Sequence, residues 1–151
     1  LLKGYKCEFY RFCIAGDSWE TLPDAPRGRK PKWDKGSWLA YDGEHTIYAH
    51  KAKYYDRVAM THELHRFDLR GDTWCPADTV AGMPLLGLHG GRIRKKKSKD
   101  GGSAAWFEDR IYALKGGNSQ QFWCYDVATD AWTELDTVPT LGTTGRRKRV
   151  L

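Results

Sequence analysis

The sequence predicts an all-β chain whose units are four-stranded antiparallel sheets. Three observations carry that expectation. A tryptophan-centred pattern recurs three times along the chain. Aromatic and aliphatic residues fall in short runs bounded by turn formers. No stretch sustains the 3.6-residue apolar period of a helix.

Self-similarity decides the architecture, so it comes first. Phe12 to Trp19, Phe67 to Trp74 and Tyr125 to Trp132 each place six residues between an aromatic ring and a tryptophan. Asp17, Asp72 and Asp130 each stand two positions before that tryptophan. The tryptophans recur after 55 and then 58 positions. Upstream, Leu1-Leu2-Lys3-Gly4 matches Ala113-Leu114-Lys115-Gly116, and Gly36-Ser37-Trp38 to Tyr41 matches Gly102-Ser103 to Phe107.

The units follow in order. Residues 1–26 are expected to hold strands two to four of a first sheet, 27–91 a complete sheet, and 92–145 a second complete sheet. Residues 146–151 read as a lead-in to another. In the last complete unit the expected strands are Ser103–Phe107, Arg110–Lys115, Gln121–Asp126 and Ala131–Leu135. Asp42-Gly43 marks a hairpin between the first two strands of the middle unit. Ile111 to Leu114 is apolar on both faces, which suits a strand buried between neighbouring sheets.

Composition bounds the alternatives. The chain has 151 residues, of which 40% are hydrophobic, with seven Trp, eight Tyr and five Phe. Disordered chains are poor in such rings. No apolar run is long enough to span a membrane as a helix. Cys7, Cys13, Cys75 and Cys124 are scattered and form no CxxC pair, so they read as free thiols rather than a zinc site.

At Ile111-Tyr112, the double glycine Gly116-Gly117, Tyr125-Asp126 and Trp132, with Met83-Pro84 and Val138-Pro139 after the outer strands, the sequence resembles the kelch repeat family. The resemblance spans nearly the whole chain and is sharpest in the last unit. Gly4-Tyr5 and His50-Lys51 stand where the other units would carry the double glycine. The resemblance implies blades of a β-propeller, a ring of about 4–8 four-stranded sheets. About two and three-quarter blades leave open edges. The chain is therefore expected to be an excerpt, closed by the remainder of the propeller in the same longer chain or another subunit. Trp19, Trp74 and Trp132 fall on the outer strands, where each is expected to pack between adjacent blades.

Charge is unevenly placed. The formal net charge is +6. Arg27–Lys35, Arg92–Asp100 and Arg146–Arg149 together hold 15 basic and 2 acidic residues, a net +13, which leaves −7 for the rest. In an up-and-down sheet these connectors open at the same end as the loops between strands two and three. The acidic turns Asp42–Thr46, Asp68–Asp72 and Asp126–Asp130 open at the other. A basic face and an acidic face are expected. The candidate anion-binding residues are Arg29, Lys30, Lys32, Arg92, Arg94, Lys95, Lys96, Arg146 and Arg147, with Tyr54, Tyr55 and Arg57 from a longer loop at Lys51–Thr61. Clustered like charge concentrates an anionic partner near the surface.

Other constellations carry less. His62-Glu63-Leu64-His65 resembles a metal motif, but residues three apart on a strand point to opposite faces. Arg70-Gly71-Asp72 spells an adhesion tripeptide, yet Ala15-Gly16-Asp17 and Ala128-Thr129-Asp130 show that the repeat itself supplies the turn. Gly90-Gly91 and Gly101-Gly102 read as turn glycines. No nucleophile–base pairing or paired carboxylates stand out, so no catalytic residue, metal or cofactor is expected. The expected function is a non-catalytic binding or scaffold module for an acidic protein or anionic glycan. Nucleic acid ranks behind these, since no reader motif accompanies the charge. The alternatives are the propeller portion of a larger enzyme and a structural repeat of a surface assembly.

Overall fold

A computed structural model describes residues 1–76 and 79–139, and Arg146–Arg149 with the rest of 140–151 lies outside the described residues. Among the described residues the chain is all-β, with no helix long and apolar enough to cross a membrane. Strands β1 (Phe9–Cys13) and β2 (Ser18–Leu22) form a hairpin, extended by a bridge from Leu2 to Phe9. A four-stranded antiparallel sheet follows from β3 (Trp38–Tyr41), β4 (Thr46–Tyr55), β5 (His62–Asp68) and β6 (Thr73–Trp74), in chain order. A second hairpin, β7 (Leu86–His89) with β8 (Arg92–Lys95), precedes another four-stranded sheet. That sheet is β9 (Ser103–Phe107), β10 (Arg110–Leu114), β11 (Phe122–Asp126) and β12 (Ala131–Glu134), again in chain order.

The strand registers repeat. Ile47 faces Phe67 as Ile111 faces Tyr125, and those rings face Trp74 and Trp132. Leu2 opposite Phe9, His50 opposite Leu64 and Leu114 opposite Phe122 extend the equivalence. It makes Lys3, Lys51 and Lys115 the same position of three units.

The recurring aspartate has a conformational cause. Asp17, Asp72 and Asp130 have φ of 45°, 46° and 51°, left-handed backbone that Asp tolerates better than β-branched residues do. At the same end of the sheets, Asp42 caps its turn by accepting the N–H groups of Glu44, His45 and Thr46 at 2.8–2.9 Å.

The core lies between sheets rather than within one. Trp38, Tyr48 and Leu64 of one four-stranded sheet pack with Ile111, Trp123 and Tyr125 of the other, and the first strands β3 and β9 lie side by side. On the far side, Phe9 meets Phe67 edge-on at 5.0 Å and Trp74 at 5.2 Å. Trp74 donates its indole N–H to the Pro23 carbonyl and Trp132 to the Ala81 carbonyl, each a residue of the preceding unit. Trp19 differs. It is 59% exposed and rests on Phe12 at 5.1 Å, because no neighbouring sheet covers β2 among the described residues.

Two stretches differ from the sequence expectation. Lys51–Tyr55, read as loop, continues β4 through a bulge whose register shifts between Lys51 and Tyr55, with Lys53 at φ 70°. Arg92–Lys95, read as connector, is the second strand of the β7–β8 hairpin. Cys7, Cys13, Cys75 and Cys124 are all free thiols.

A lysine-lined cleft as candidate functional site

Two elements converge on the end of the sheets where β4 turns into β5. The β4 bulge pushes Lys53 outward, and the chain leaving β8 runs past it as Lys96-Lys97-Ser98-Lys99. The Lys53 amide donates to the Ser98 carbonyl at 3.1 Å, and the Lys99 amide to the Lys115 carbonyl at 2.9 Å. Between them lies a cleft of about 500 Å³ lined by Lys53, Lys95, Lys96, Lys97, Lys99 and Gly117. Gly117 belongs there for a steric reason. It sits at φ 58°, and a Cβ would stand 2.8 Å from the Lys99 Cβ.

A buried histidine fixes the connector. His62 is 1% exposed and bonds through both ring nitrogens. Its Nδ1–H donates to the Tyr54 carbonyl at 2.7 Å, and its Nε2 accepts the Ser98 N–H at 3.0 Å. A carbonyl only accepts and an amide only donates, so the ring must be neutral. Burial holds it so, lowering its pKa to about 4. His50, fully buried beside it at 5.1 Å, is likewise held neutral by burial.

Two buried lysines fasten the connectors from below. Lys51 and Lys115 are fully buried. The Lys51 ammonium donates to the Arg27 and Lys30 carbonyls and lies 3.6 Å from Glu63. The Lys115 ammonium donates to Gln121 Oε1 at 2.5 Å, and the Gln121 amide donates to the Arg94 carbonyl at 3.0 Å. Burial lowers the Lys115 pKa to about 7. In both sheets, then, the lysine at this equivalent position, before the β4 bulge or just after β10, clamps the connector that enters that sheet.

The cleft keeps its charge. Lys53 pairs with Asp34 at 2.8 Å, but among the described residues Lys95, Lys96, Lys97 and Lys99 form no ion pair. Lys95 and Lys97 instead place their ammoniums 4.2 and 4.9 Å from the centre of the Tyr55 ring. The Lys95 contact, aided by the nearby positive charges, lowers the Tyr55 phenol pKa.

The sequence-predicted residues divide. Lys95, Lys96 and Tyr55 meet at the cleft. Arg92 and Arg94 are exposed on β8. Arg29 is paired with Asp56, and its backbone N–H is held by Glu63 at 2.8 Å. Lys30 and Lys32 are exposed on the other connector, and Arg57 is exposed at the β4–β5 turn. Tyr54 is half-buried and contributes its carbonyl to His62 rather than its ring to a ligand. Arg146 and Arg147 lie outside the described residues. Gly116 (φ 65°) packs where a Cβ would meet the Asp100 carbonyl oxygen at 2.3 Å. Lys53, Lys97 and Lys99 were absent from the predicted set. Lys97 and Lys99 lie in the basic run already counted, while only the bulge reveals Lys53.

His62 and His65 serve separate partners, since His65 lies 3.4 Å from Glu63. Among the described residues no group of three or more His, Cys, Asp or Glu could hold a metal ion. What the cleft offers chemically is multivalent attraction for anions. The class defined by fold and site is an all-β chain of four-stranded sheets with a cationic cleft at one end. The chain matches neither any protein-family model nor any curated protein in the comparisons made.

Proposed function

We propose that this chain is a kelch-like segment of a β-propeller acting as a non-catalytic binding or scaffold module. Its working surface is the basic face, and its partner an acidic protein or anionic glycan. The observation that carries the reading is the group of four lysines (Lys95, Lys96, Lys97 and Lys99) around one cleft without a carboxylate partner among the described residues. Self-repulsion among unpaired ammoniums is relieved when an anion enters, so binding and charge neutralisation coincide. The propeller reading is supported by the chain-order sheets, the core between them and the neighbouring first strands β3 and β9.

The test is a triple variant, Lys95→Glu, Lys96→Glu and Lys99→Glu, titrated with a heparin oligosaccharide and with a glutamate-rich peptide. Wild-type affinity is expected to fall as salt rises from low to physiological strength. The variant is expected to lose at least about tenfold in affinity. Equal, salt-independent affinity in the two proteins would show the lysines to be a solvated surface only.

A further inference from the structure

The β7–β8 hairpin carries an inference about the partner itself. It turns through Gly90-Gly91 at φ 61° and 74°, the geometry of a two-residue hairpin loop. Bonded and non-bonded pairs alternate in such a ladder. His89 with Arg92 and Gly87 with Arg94 form bonded pairs, and the Lys96 N–H donates to the Leu85 carbonyl at 2.9 Å. The backbone groups of Ile93 and Lys95 therefore point off the outer edge of β8. Among the described residues they find no partner. The opposite edge is capped, since the Leu88 N–H donates to Glu134 at 2.6 Å.

The two faces of the hairpin differ as well. Gly87 and His89 face the neighbouring sheet: a Cβ on Gly87 would meet Trp123 at 2.8 Å, and His89 Nδ1 accepts the Gln120 N–H at 3.2 Å. Alternation turns Leu86, Leu88, Ile93 and Lys95 to the other face. There Leu86, Leu88 and Ile93 are 46%, 37% and 65% exposed. An open strand edge thus borders an apolar patch and the lysine cleft.

We infer that β8 accepts an extended acidic peptide as an added strand. The inference rests on the basic-face reading above and selects protein over glycan, because a sugar chain cannot continue a backbone ladder. A second copy of the hairpin does not fit, since pairing β8 with itself sets cation against cation. Charge complementarity gives the peptide its pattern. Acidic residues stand opposite Arg92, Arg94 and Lys95, and one apolar residue stands opposite Ile93.

The test uses fluorescence anisotropy of a labelled octapeptide containing Glu-Glu-Val-Glu, with the full chain at low salt. Ile93→Pro removes an outward-pointing N–H and leaves the hairpin's own bonds in place, and Ile93→Ala, which keeps that N–H, separates the loss of the side chain from the loss of the N–H. The proline variant is expected to weaken the peptide at least tenfold and to leave heparin binding unchanged. N-methylation of alternate peptide backbone nitrogens is expected to weaken binding equally, with the protein unaltered. If the proline variant and the N-methylated peptide both bind as the originals do, strand addition is overturned while the basic-face reading stands. If wild-type protein binds heparin but not the peptide, the partner is a glycan and the inference fails. If neither ligand binds, both readings fail together.

Discussion

Replacing His62 with Gln tests whether a neutral ring holds the basic connector in place. Glutamine can accept the Ser98 N–H through its carbonyl oxygen but does not titrate. The folded ring has a pKa of about 4 against an ordinary 6.5. Each unit of displacement corresponds to about 1.4 kcal/mol, so the linkage is about 3 kcal/mol. The direction follows from the displacement being downward. Unfolded chains take up the proton first as pH falls, so His62 contributes fully above pH 6.5 and loses that contribution by pH 4. Protonation also sets an Nε2–H against the Ser98 N–H. Urea unfolding followed by tryptophan fluorescence at pH 7, 6, 5 and 4 provides the assay. The stability gap between wild type and His62→Gln is expected to move by about 3 kcal/mol in favour of the variant across that range. His50 titrates in both proteins and cancels from the difference to first order. A gap that does not change with pH refutes the assignment of the neutral ring.

Lys115 gives an alkaline counterpart. Its pKa is lowered from 10.5 to about 7, so its contribution is present above pH 10.5 and lost as pH falls to 7. Wild type is therefore expected to gain up to about 5 kcal/mol relative to Lys115→Met between pH 7 and 10.5, read from urea midpoints; parallel curves would contradict it. Phe67 is fully buried against Phe9 and Trp74, so Phe67→Ala is expected to cost about 3–5 kcal/mol in urea unfolding. A loss below about 1 kcal/mol would mean the hairpin β1–β2 is not packed as described.

The four-stranded sheets were legible because their cues are local. The strands of the last unit end within one residue of the expected bounds, since turn residues such as Asp130 and Gly116 are required by left-handed φ. The β7–β8 hairpin was harder to see. Arg92-Ile93-Arg94-Lys95 is exposed on every residue, so it lacks the buried–exposed alternation that marks a strand. Only Gly90-Gly91 signalled its turn. The β4 bulge was hidden for a related reason, because a register slip depends on pairing with β5 rather than on the local sequence. Lys51 and Lys115 were hidden by their charge, which ordinarily means surface. The alignment of Lys3 with Lys115 was the trace of their role, but matching residues do not reveal burial. For the cleft, the basic run Arg92–Asp100 pointed to the right segment, while the partnerless state of its lysines emerged only with the ion pairs around it.

The two buried lysines also say where this chain divides. Lys51 grips Arg27 and Lys30, and Lys115 reaches Arg94 through Gln121, so both described connectors are anchored to the sheet they enter. The preceding sheet holds the second connector at one further point, Ser98, through Lys53 and His62, but contributes no buried lysine clamp to it. A transferable module therefore begins at the connector and ends after the outer-strand tryptophan. Exchange of segments at that boundary carries a clamp and its captive together, whereas a cut between connector and first strand separates them. Diversity in the basic loops is thereby inherited with the lysine that clamps them, while the bonds of Ser98 to Lys53 and His62 make the second connector answer to the preceding sheet as well.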